Sequence, residues 1–343
     1  MTQKVVLITG ANGEVGHGLI RQMRALPDPP VIVVLDIRGL DAEIAPLVDG
    51  TIVGDILDRS LLETLMSEYD FDTVYHLAAL LSTHSEFRPE SAHQVNVQGT
   101  LHLLQLAIEQ ARWSAQTVRF VFPSSIAVYG VADLATKAAI APVKEHEHTQ
   151  PTTMYGANKL YCEHLGRYYC AYYRQLAAVR ETHNVDFRCV RFPGIISAST
   201  MPSGGTSDYA PEMIHAAAQG TPYASFVRPD TRIPFMVMPD AIKALLELAD
   251  APAESLSQRV YNVASFSLSA EQIARRVKDA FPGTTITYEP HPGRQGIVDT
   301  WPADMDDSAA RLDWGWQPDY DADAAFNDYL FPTIRQRYSA SSK

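Results

Sequence analysis

Tyr155 and Lys159 stand four residues apart in TTMYGANKLYCEH, residues 152–164, a stretch with a helical pattern. Residues four apart share one helix face, so the phenol and the amine can point at the same place. A tyrosine at its ordinary pKa of about 10 is a poor base near neutrality. A neighbouring ammonium and a cationic ring both favour the phenolate and draw that value down. So tuned, a tyrosine can take the proton of a substrate hydroxyl while hydride leaves the same carbon. Ser125, in FPSSIAVYG, ends an apolar strand pattern and offers a hydroxyl to the substrate oxygen. It falls at the carboxyl edge of its strand, where open α/β sheets bind ligands.

Such chemistry needs a hydride acceptor, and the start of the chain supplies a place for one. VVLITGANGEVGHGLI reads as strand, glycine-rich turn and helix, with Gly10, Gly13 and Gly16 spaced GxxGxxG. Gly10 makes the tight turn, Gly13 lets the backbone approach a pyrophosphate, and Gly16 lets the helix pack closely on the strand. Asn12, Glu14 and Val15 complete the turn, and the helix N-terminus turns unpaired N–H groups toward the phosphates. Asp36 ends the next strand, 26 residues after Gly10. A carboxylate there accepts from both ribose hydroxyls and repels a 2′-phosphate, so the expected cofactor is NAD. Arg38 is the dissenting residue, since an arginine can accommodate that phosphate. Asp55 and Ile56, in GDILD, end the third strand where an adenine ring would lie, the lesser alternative being a polar strand end with one core residue.

The elements that must position these residues alternate along the first half. Apolar, β-branched runs occur at 5–9, 31–36, 51–55, 73–78, 119–125 and 187–192, with helical patterns at 14–25, 60–68, 89–112 and 154–178. Strands apolar on both faces, alternating with helices, predict a parallel sheet covered on both sides: a Rossmann, doubly wound α/β fold. After about residue 193 Gly, Pro and Ser accumulate. Short helices at 209–219, 239–250 and 269–280, with strands at RVYNVA and TITYEP, predict a smaller C-terminal α/β cap. The expected division is 1–192 for the NAD-binding domain, 193–337 mainly for the cap with a return to the sheet, and 338–343 for a frayed tail. The aromatic helix 154–178 and the helix 89–112 are expected to form a homodimer contact.

Composition narrows the classes. A net charge of −12 disfavours nucleic acid, which needs a basic surface. No apolar run approaches the roughly 20 residues that cross a bilayer. The start MTQKVVLITG has no cleavage-site pattern, and Cys162, Cys170 and Cys189 lack metal-ligand spacing. A cytoplasmic setting without a disulfide framework is expected. The two histidines of KEHEHTQP, residues 144–151, lack further placed ligands and read as an exposed loop rather than a metal site.

Taken together, TGANGEVG, HLAA at 76–79, NVQGT at 96–100, PSSIAVYG and YGANK resemble the extended short-chain dehydrogenase/reductase family. The resemblance implies Ser125, Tyr155 and Lys159 as the catalytic trio, with Lys159 also holding the nicotinamide ribose. It adds Leu77, Ala78, Ala79 and Asn96 beside the cofactor. RFPGIISASTMPSGGTSDYAPEMIHAA, DTRIPFMVMPDAIKALLELA and DTWPADMDDSAARLDWGW are similar to the epimerase-like L-threonine 3-dehydrogenases, over nearly the whole chain. That similarity implies an amino-acid substrate held by Ser82, Ser125, Tyr155, Thr206 and Asp208, oxidised by NAD at its 3-hydroxyl to 2-amino-3-ketobutyrate.

The residues agree in part. Hydroxyls suit a carboxylate and a carboxylate suits an ammonium, although Ser, Thr and Asp also cap turns, and Ser207 or Asp208 could N-cap a helix. Trp301 either helps close the site or is buried at the domain junction. The segment around RQLAAVRETHNVDF is longer than the family pattern, and His84 stands near the expected substrate, where a solvated loop histidine is the plainer reading. A sugar-nucleotide epimerase or dehydratase would share the trio but need a larger cap with basic groups. An NAD-sensing regulator could dispense with Tyr155 and Lys159.

Overall fold

The computed structural model describes residues 4–178, 184–202 and 204–340. Strand β1 (Val5–Thr9) leads into α1 (Glu14–Arg24), followed by β2 (Val31–Asp36), β3 (Gly50–Val53), α2 (Arg59–Glu68) and β4 (Thr73–His76). Next come α3 (Ser82–Phe87), α4 (Pro89–His93), a π turn (Gln94–Gln98) and α5 (Gly99–Ser114). The first domain continues with β5 (Val118–Ser125), α6 (Leu134–Ala139), α7 (Met154–Ala171) and β6 (Val185–Phe192). Seven parallel strands pair in the order β10-β6-β5-β4-β1-β2-β3, where β10 is Val260–Asn262. The order reverses between β1 and β4, which opens the ligand cleft at their carboxyl ends.

The cap comprises β7 (Gly194–Ile196), α8 (Tyr209–Ala218), β8 (Tyr223–Ser225), β9 (Arg232–Val237), β11 (Phe266–Ser269), α10 (Ala270–Ala280), β12 (Ile286–Tyr288) and α11 (Pro292–Asp299). Between them α9 (Met238–Asp250) and β10 return to the main sheet. The chain closes with α12 (Ser308–Trp314), α13 (Ala322–Ala324), a π turn (Ala325–Leu330) and α14 (Phe331–Ala340). Small sheets β11-β9-β7 and β12-β8 hold the cap together.

The doubly wound α/β class is confirmed, and packing explains it. Every residue of β6 is buried. Leu7, Val33, Phe120 and Phe187 pack with Leu62, Leu103 and Cys162 of α2, α5 and α7 on one sheet face. Ile8, Val34, Val121 and Val190 pack with Leu19, Ile20, Leu245 and Leu248 of α1 and α9 on the other.

Several boundaries differ from expectation. Helix α7 stops at Ala171, not 178, because Tyr172 leaves helical geometry and Arg174 takes a left-handed φ of 48°. Of the long segment that follows, 179–183 lie outside the described residues. The strand expected over 51–55 is Gly50–Val53, so Asp55 and Ile56 lie in the turn after it. The polar stretch at Ser82 is a helix, and α14 runs on to Ala340; residues 341–343 of the expected tail lie outside the described ones. Strands β7, β8 and β11 were hidden because each is short, and all three, with the six-residue β9, pair within the cap.

A buried arginine ties the cap's return helix to the sheet. Arg188 on β6, 2% exposed, donates to the carbonyls of Leu248 (2.7 Å), Ala249 (3.0 Å) and Ala251 (2.6 Å) at the end of α9. Those carbonyls have no partner within their own helix. Its other nitrogens bind Asp186 at 2.9 and 2.6 Å. Arg188→Ala strands the three carbonyls and leaves Asp186 with Arg259 alone, at 2.9 Å, and a loss of about 3 kcal/mol in chemical denaturation is expected; a loss under about 1 kcal/mol would show that α9 is held by its apolar face alone.

Candidate active site

Helix α7 begins on a cap. Thr153 Oγ1 accepts the N–H of Gly156 at 3.0 Å, and Glu86 of α3 accepts the N–H of Met154 at 2.7 Å. The first turn thereby presents Tyr155, half-buried against the cap core. One turn on, Lys159 is 4% exposed and donates to the carbonyl of Pro123 at 2.7 Å, two residues before Ser125. Its ammonium lies 4.3 Å from the Phe122 ring centre and 5.6 Å from that of Tyr155. Ser125 ends β5 and accepts the N–H of Ala127 at 3.2 Å, which starts the turn that α7 packs against. The structure thus brings Ser125, Tyr155 and Lys159 to one sheet edge.

The electrostatics of the pair differ from expectation. Burial pushes the Tyr155 phenol well above its ordinary value, where a neighbouring ammonium was expected to lower it. Burial likewise pushes the Lys159 amine down to about 8. The cause is common: a site shielded from water penalises whichever form is charged, and the ammonium spends its short hydrogen bond on Pro123 rather than on the phenol.

Three further groups brace this edge; Glu163 and His76 lie outside the sequence reading, whereas Asn96 was expected beside the cofactor. Glu163, one more turn along α7, accepts from Ser124 Oγ at 2.5 Å and from Arg191 at 2.9 and 2.6 Å. The recurrence 155, 159, 163 along one helix face was the available signal. His76, at the end of β4, sits between Thr9 Oγ1 (2.8 Å) and Thr100 Oγ1 (2.9 Å); burial pushes it down to about 3, so it is neutral. Asn96, in the π turn, accepts the N–H of Leu80 at 2.8 Å and donates to its carbonyl at 3.0 Å. It therefore fixes the loop carrying Leu77, Ala78 and Ala79 as well as helix geometry.

The glycine turn fits a dinucleotide. Gly10 has φ +68°, and a Cβ there would stand 2.6 Å from Ala78 N; a Cβ on Gly16 would stand 2.4 Å from the Ala11 carbonyl oxygen. Gly13 caps α1 with no side-chain bond, so the first N–H groups of that helix point into the cleft. Asn12 Oδ1 holds the N–H of Asp41 at 3.0 Å, Glu14 is exposed and Val15 is half-buried in the first turn. Asp36 lies against this turn, its carboxylate accepting from the N–H of Asn12 at 2.9 Å and of Arg38 at 3.1 Å. The Arg38 side chain itself is exposed. Asp55 accepts the N–H of Leu57 at 2.9 Å, and Ile56 is buried against Gly99.

The residues expected to hold a substrate come from distant parts of the chain. Thr206 Oγ1 donates to Ser82 Oγ at 3.1 Å, and Thr83 Oγ1 donates to the Gly204 carbonyl at 2.8 Å. Thr206 is 3% exposed. Asp208 precedes α8 in the N-cap position without a side-chain cap, and its carboxylate accepts the N–H of Gly205 at 2.6 Å. His84 is exposed, and Trp301 is buried in the cap core rather than at the cleft mouth. Among the described residues no cluster of three His, Cys, Asp or Glu could hold a metal, and no helix is long and apolar enough to cross a membrane.

A model of the NAD dependent epimerase/dehydratase family matches residues 6–264. The mitochondrial L-threonine 3-dehydrogenase of Bos taurus is 37% identical over 319 residues, covering 93% of this chain and 80% of the relative. An L-threonine dehydrogenase structure from Phytophthora infestans superposes with TM-score 0.84 at 34% identity, covering 98% of this chain and 100% of that one. A monomeric L-threonine 3-dehydrogenase of metagenomic origin gives TM-score 0.84 at 33% identity, covering 97% and 99%. The chain belongs to the NAD dependent epimerase/dehydratase family, and NAD is its cofactor.

The Lys159 amine makes stability depend on pH. Its value is about 8 folded and about 10.4 unfolded. Below the lower value both states hold the proton. Between the two, the unfolded chain keeps a proton that the folded chain has released, so stability rises with pH across the window. Lys137, also pushed down to about 8 by burial, adds the same trend in wild type and variant alike. Lys159→Met is expected to flatten the rise of the thermal midpoint between about pH 8 and 10; an unchanged slope would mean that the amine titrates as an ordinary lysine.

Proposed function

We propose that this NAD-dependent enzyme oxidises the 3-hydroxyl of L-threonine to 2-amino-3-ketobutyrate by a Ser/Tyr/Lys mechanism. The observation that carries this reading is the Thr206–Ser82 hydrogen bond, which joins two hydroxyls 124 positions apart above the Tyr155 helix. Helix α3, which begins at Ser82, also caps α7 through Glu86, so hydroxyl pair and phenol share one support. Relatives spanning over 90% of the chain and named as L-threonine 3-dehydrogenases support the substrate.

In this reading Gly10, Gly13 and Gly16 hold the pyrophosphate, Asp36 holds the adenosine ribose and Lys159 the nicotinamide ribose. Bound NAD supplies the hydride acceptor. Ser125 holds the substrate hydroxyl oxygen, and Tyr155 takes its proton at the phenolic oxygen. Ser82 and Thr206 suit the substrate carboxylate, and Asp208 suits its ammonium.

The test is growth of 340 nm absorbance with NAD and L-threonine, with NADP, L-serine and UDP-sugars alongside. NADH is expected with threonine and NAD. Tyr155→Phe should bind NAD as wild type does but lose about 100-fold or more in turnover. Turnover with a UDP-sugar alone would replace the substrate, and equal loss of binding and turnover in the variant would remove the base.

We also propose a homodimer through α5 and α7. Tyr161 and Tyr168 share one face of α7 and Tyr172 follows at its C-cap; they are 53%, 42% and 52% exposed, and Trp113 on α5 is 68% exposed. A helix face this aromatic suits burial against a second copy. Light scattering should give twice the 37.9 kDa chain mass, and Tyr161→Glu with Tyr168→Glu should give one chain mass without loss of NAD binding. A monomeric wild type, as in the metagenomic relative, would dismiss the contact.

A further inference from the structure

We propose that Arg294 is a positioning residue of the substrate site, holding the segment that carries Thr206 and Asp208. The inference rests on the reading of those two residues as substrate ligands. Arg294 lies in α11, on the far side of the cap from the glycine turn in sequence, and nothing in its local pattern marks it. Its Nη2 donates to the Gly205 carbonyl at 2.6 Å. Its guanidinium carbon lies 3.5 Å from the Phe226 ring centre, a stacked arrangement in which the planar cation loses little freedom on binding.

Gly205 is clamped on both sides. Its carbonyl is held by Arg294, and its N–H is held by the Asp208 carboxylate at 2.6 Å. A Cβ on Gly205 would stand 2.7 Å from Asp208 Oδ1, so a side chain there would displace the carboxylate. The next residue, Thr206, makes the bond to Ser82, and the preceding one, Gly204, accepts from Thr83. One peptide thus links the cap's arginine to both proposed substrate residues and to α3.

The support behind Arg294 is rigid. His291 caps α11, its Nδ1 accepting the N–H of Arg294 at 3.3 Å, and the N–H of His291 donates to the Phe226 carbonyl at 2.9 Å. Gln295, 5% exposed, accepts the N–H of Arg228 at 2.6 Å and donates to Asp299 at 2.7 Å. Asp299 in turn is held by two nitrogens of Arg228, each at 2.9 Å. A group that must set a loop within a fraction of an ångström works best from such a braced element. A lysine could supply the charge but not the flat stack on Phe226.

The test uses the full-length protein with Arg294→Met, Arg294→Lys, Gly205→Ala and Thr206→Val. Kinetics with L-threonine at saturating NAD are read beside NAD affinity, thermal midpoint and amide exchange over residues 204–208. Arg294→Met keeps the packing on Phe226 and is expected to raise KM about tenfold, the size of one charge-assisted hydrogen bond. kcat and NAD affinity should move less than about twofold, with faster exchange confined to 204–208. Arg294→Lys should recover part of the KM, and Gly205→Ala should raise it at least as much as Arg294→Met. An unchanged KM, or a rise in KM matched by losses of NAD affinity and thermal midpoint, would overturn the role. If Thr206→Val leaves KM unmoved while Arg294→Met still loosens 204–208, the substrate reading fails and the clamp stands. If exchange in Arg294→Met stays as in wild type, the clamp fails whatever the substrate.

Discussion

The carboxylate of Glu163 is the interaction on which this site depends. It is 2% exposed, shared between Ser124 and two nitrogens on one edge of the Arg191 guanidinium. Arg191 continues to the Tyr129 hydroxyl at 2.9 Å and the Glu145 carbonyl at 2.6 Å, and Tyr129 donates to Asn262 at 2.6 Å. One network therefore joins α7, β5, β6, β10 and the turn after Ser125. Two buried charges contribute little net stability, because desolvation offsets most of their attraction. What they contribute is register. A slip of α7 along β5 would strand a carboxylate and a guanidinium in the interior, each at a cost of several kcal/mol. Tyr155 and Lys159 lie on the same helix face as Glu163, so the network that pins one places the others.

A second chain of polar contacts does the same for the cofactor side. Thr9 at the end of β1, His76 at the end of β4 and Thr100 on α5 are bonded in series across the point where strand order reverses. Thr100 also donates to the Asn96 carbonyl at 2.6 Å, and Asn96 clamps Leu80. The extra backbone residue of the π turn lets Asn96 face the loop rather than the helix axis, a use to which such turns are often put. The tight approach of Gly10 to Ala78 then follows, since both loops are fastened to the same pair of strands.

What was legible in the sequence were features with a local cause. Gly10, Gly13 and Gly16 sit in a strand–turn–helix whose period and punctuation are visible within sixteen residues. Tyr155 and Lys159 follow from helix geometry, and the parallel sheet follows from runs such as VIVVL at 31–35 that leave no face polar. The cap was legible only in outline. Strands of three residues, such as Gly194–Ile196 and Tyr223–Ser225, carry too few side chains to show a period, and their partners are far away in sequence. Arg294, Ser124 and Arg191 acquire meaning from contacts that only the fold creates. The end of α7 was misplaced because aromatic residues after Ala171 look helical until Arg174 takes its left-handed turn.

The same burial that fixes the pair also sets a condition on it. In the proposed reaction Tyr155 must give up its proton, yet burial opposes the phenolate. The ammonium 5.6 Å from the ring centre already stands beside the phenol, and the phenol is nonetheless held above its ordinary value. In the proposed reaction the ammonium alone is therefore insufficient, and a second positive charge has to enter the same shielded space. The oxidised nicotinamide carries one, whereas the reduced ring does not. The Tyr155 proton would then be held firmly before cofactor binds, become labile when the oxidised cofactor is in place, and be held again once hydride has arrived. In the proposed reaction, an environment unfavourable to the phenolate would thus restrict proton removal to the state in which a hydride acceptor is present.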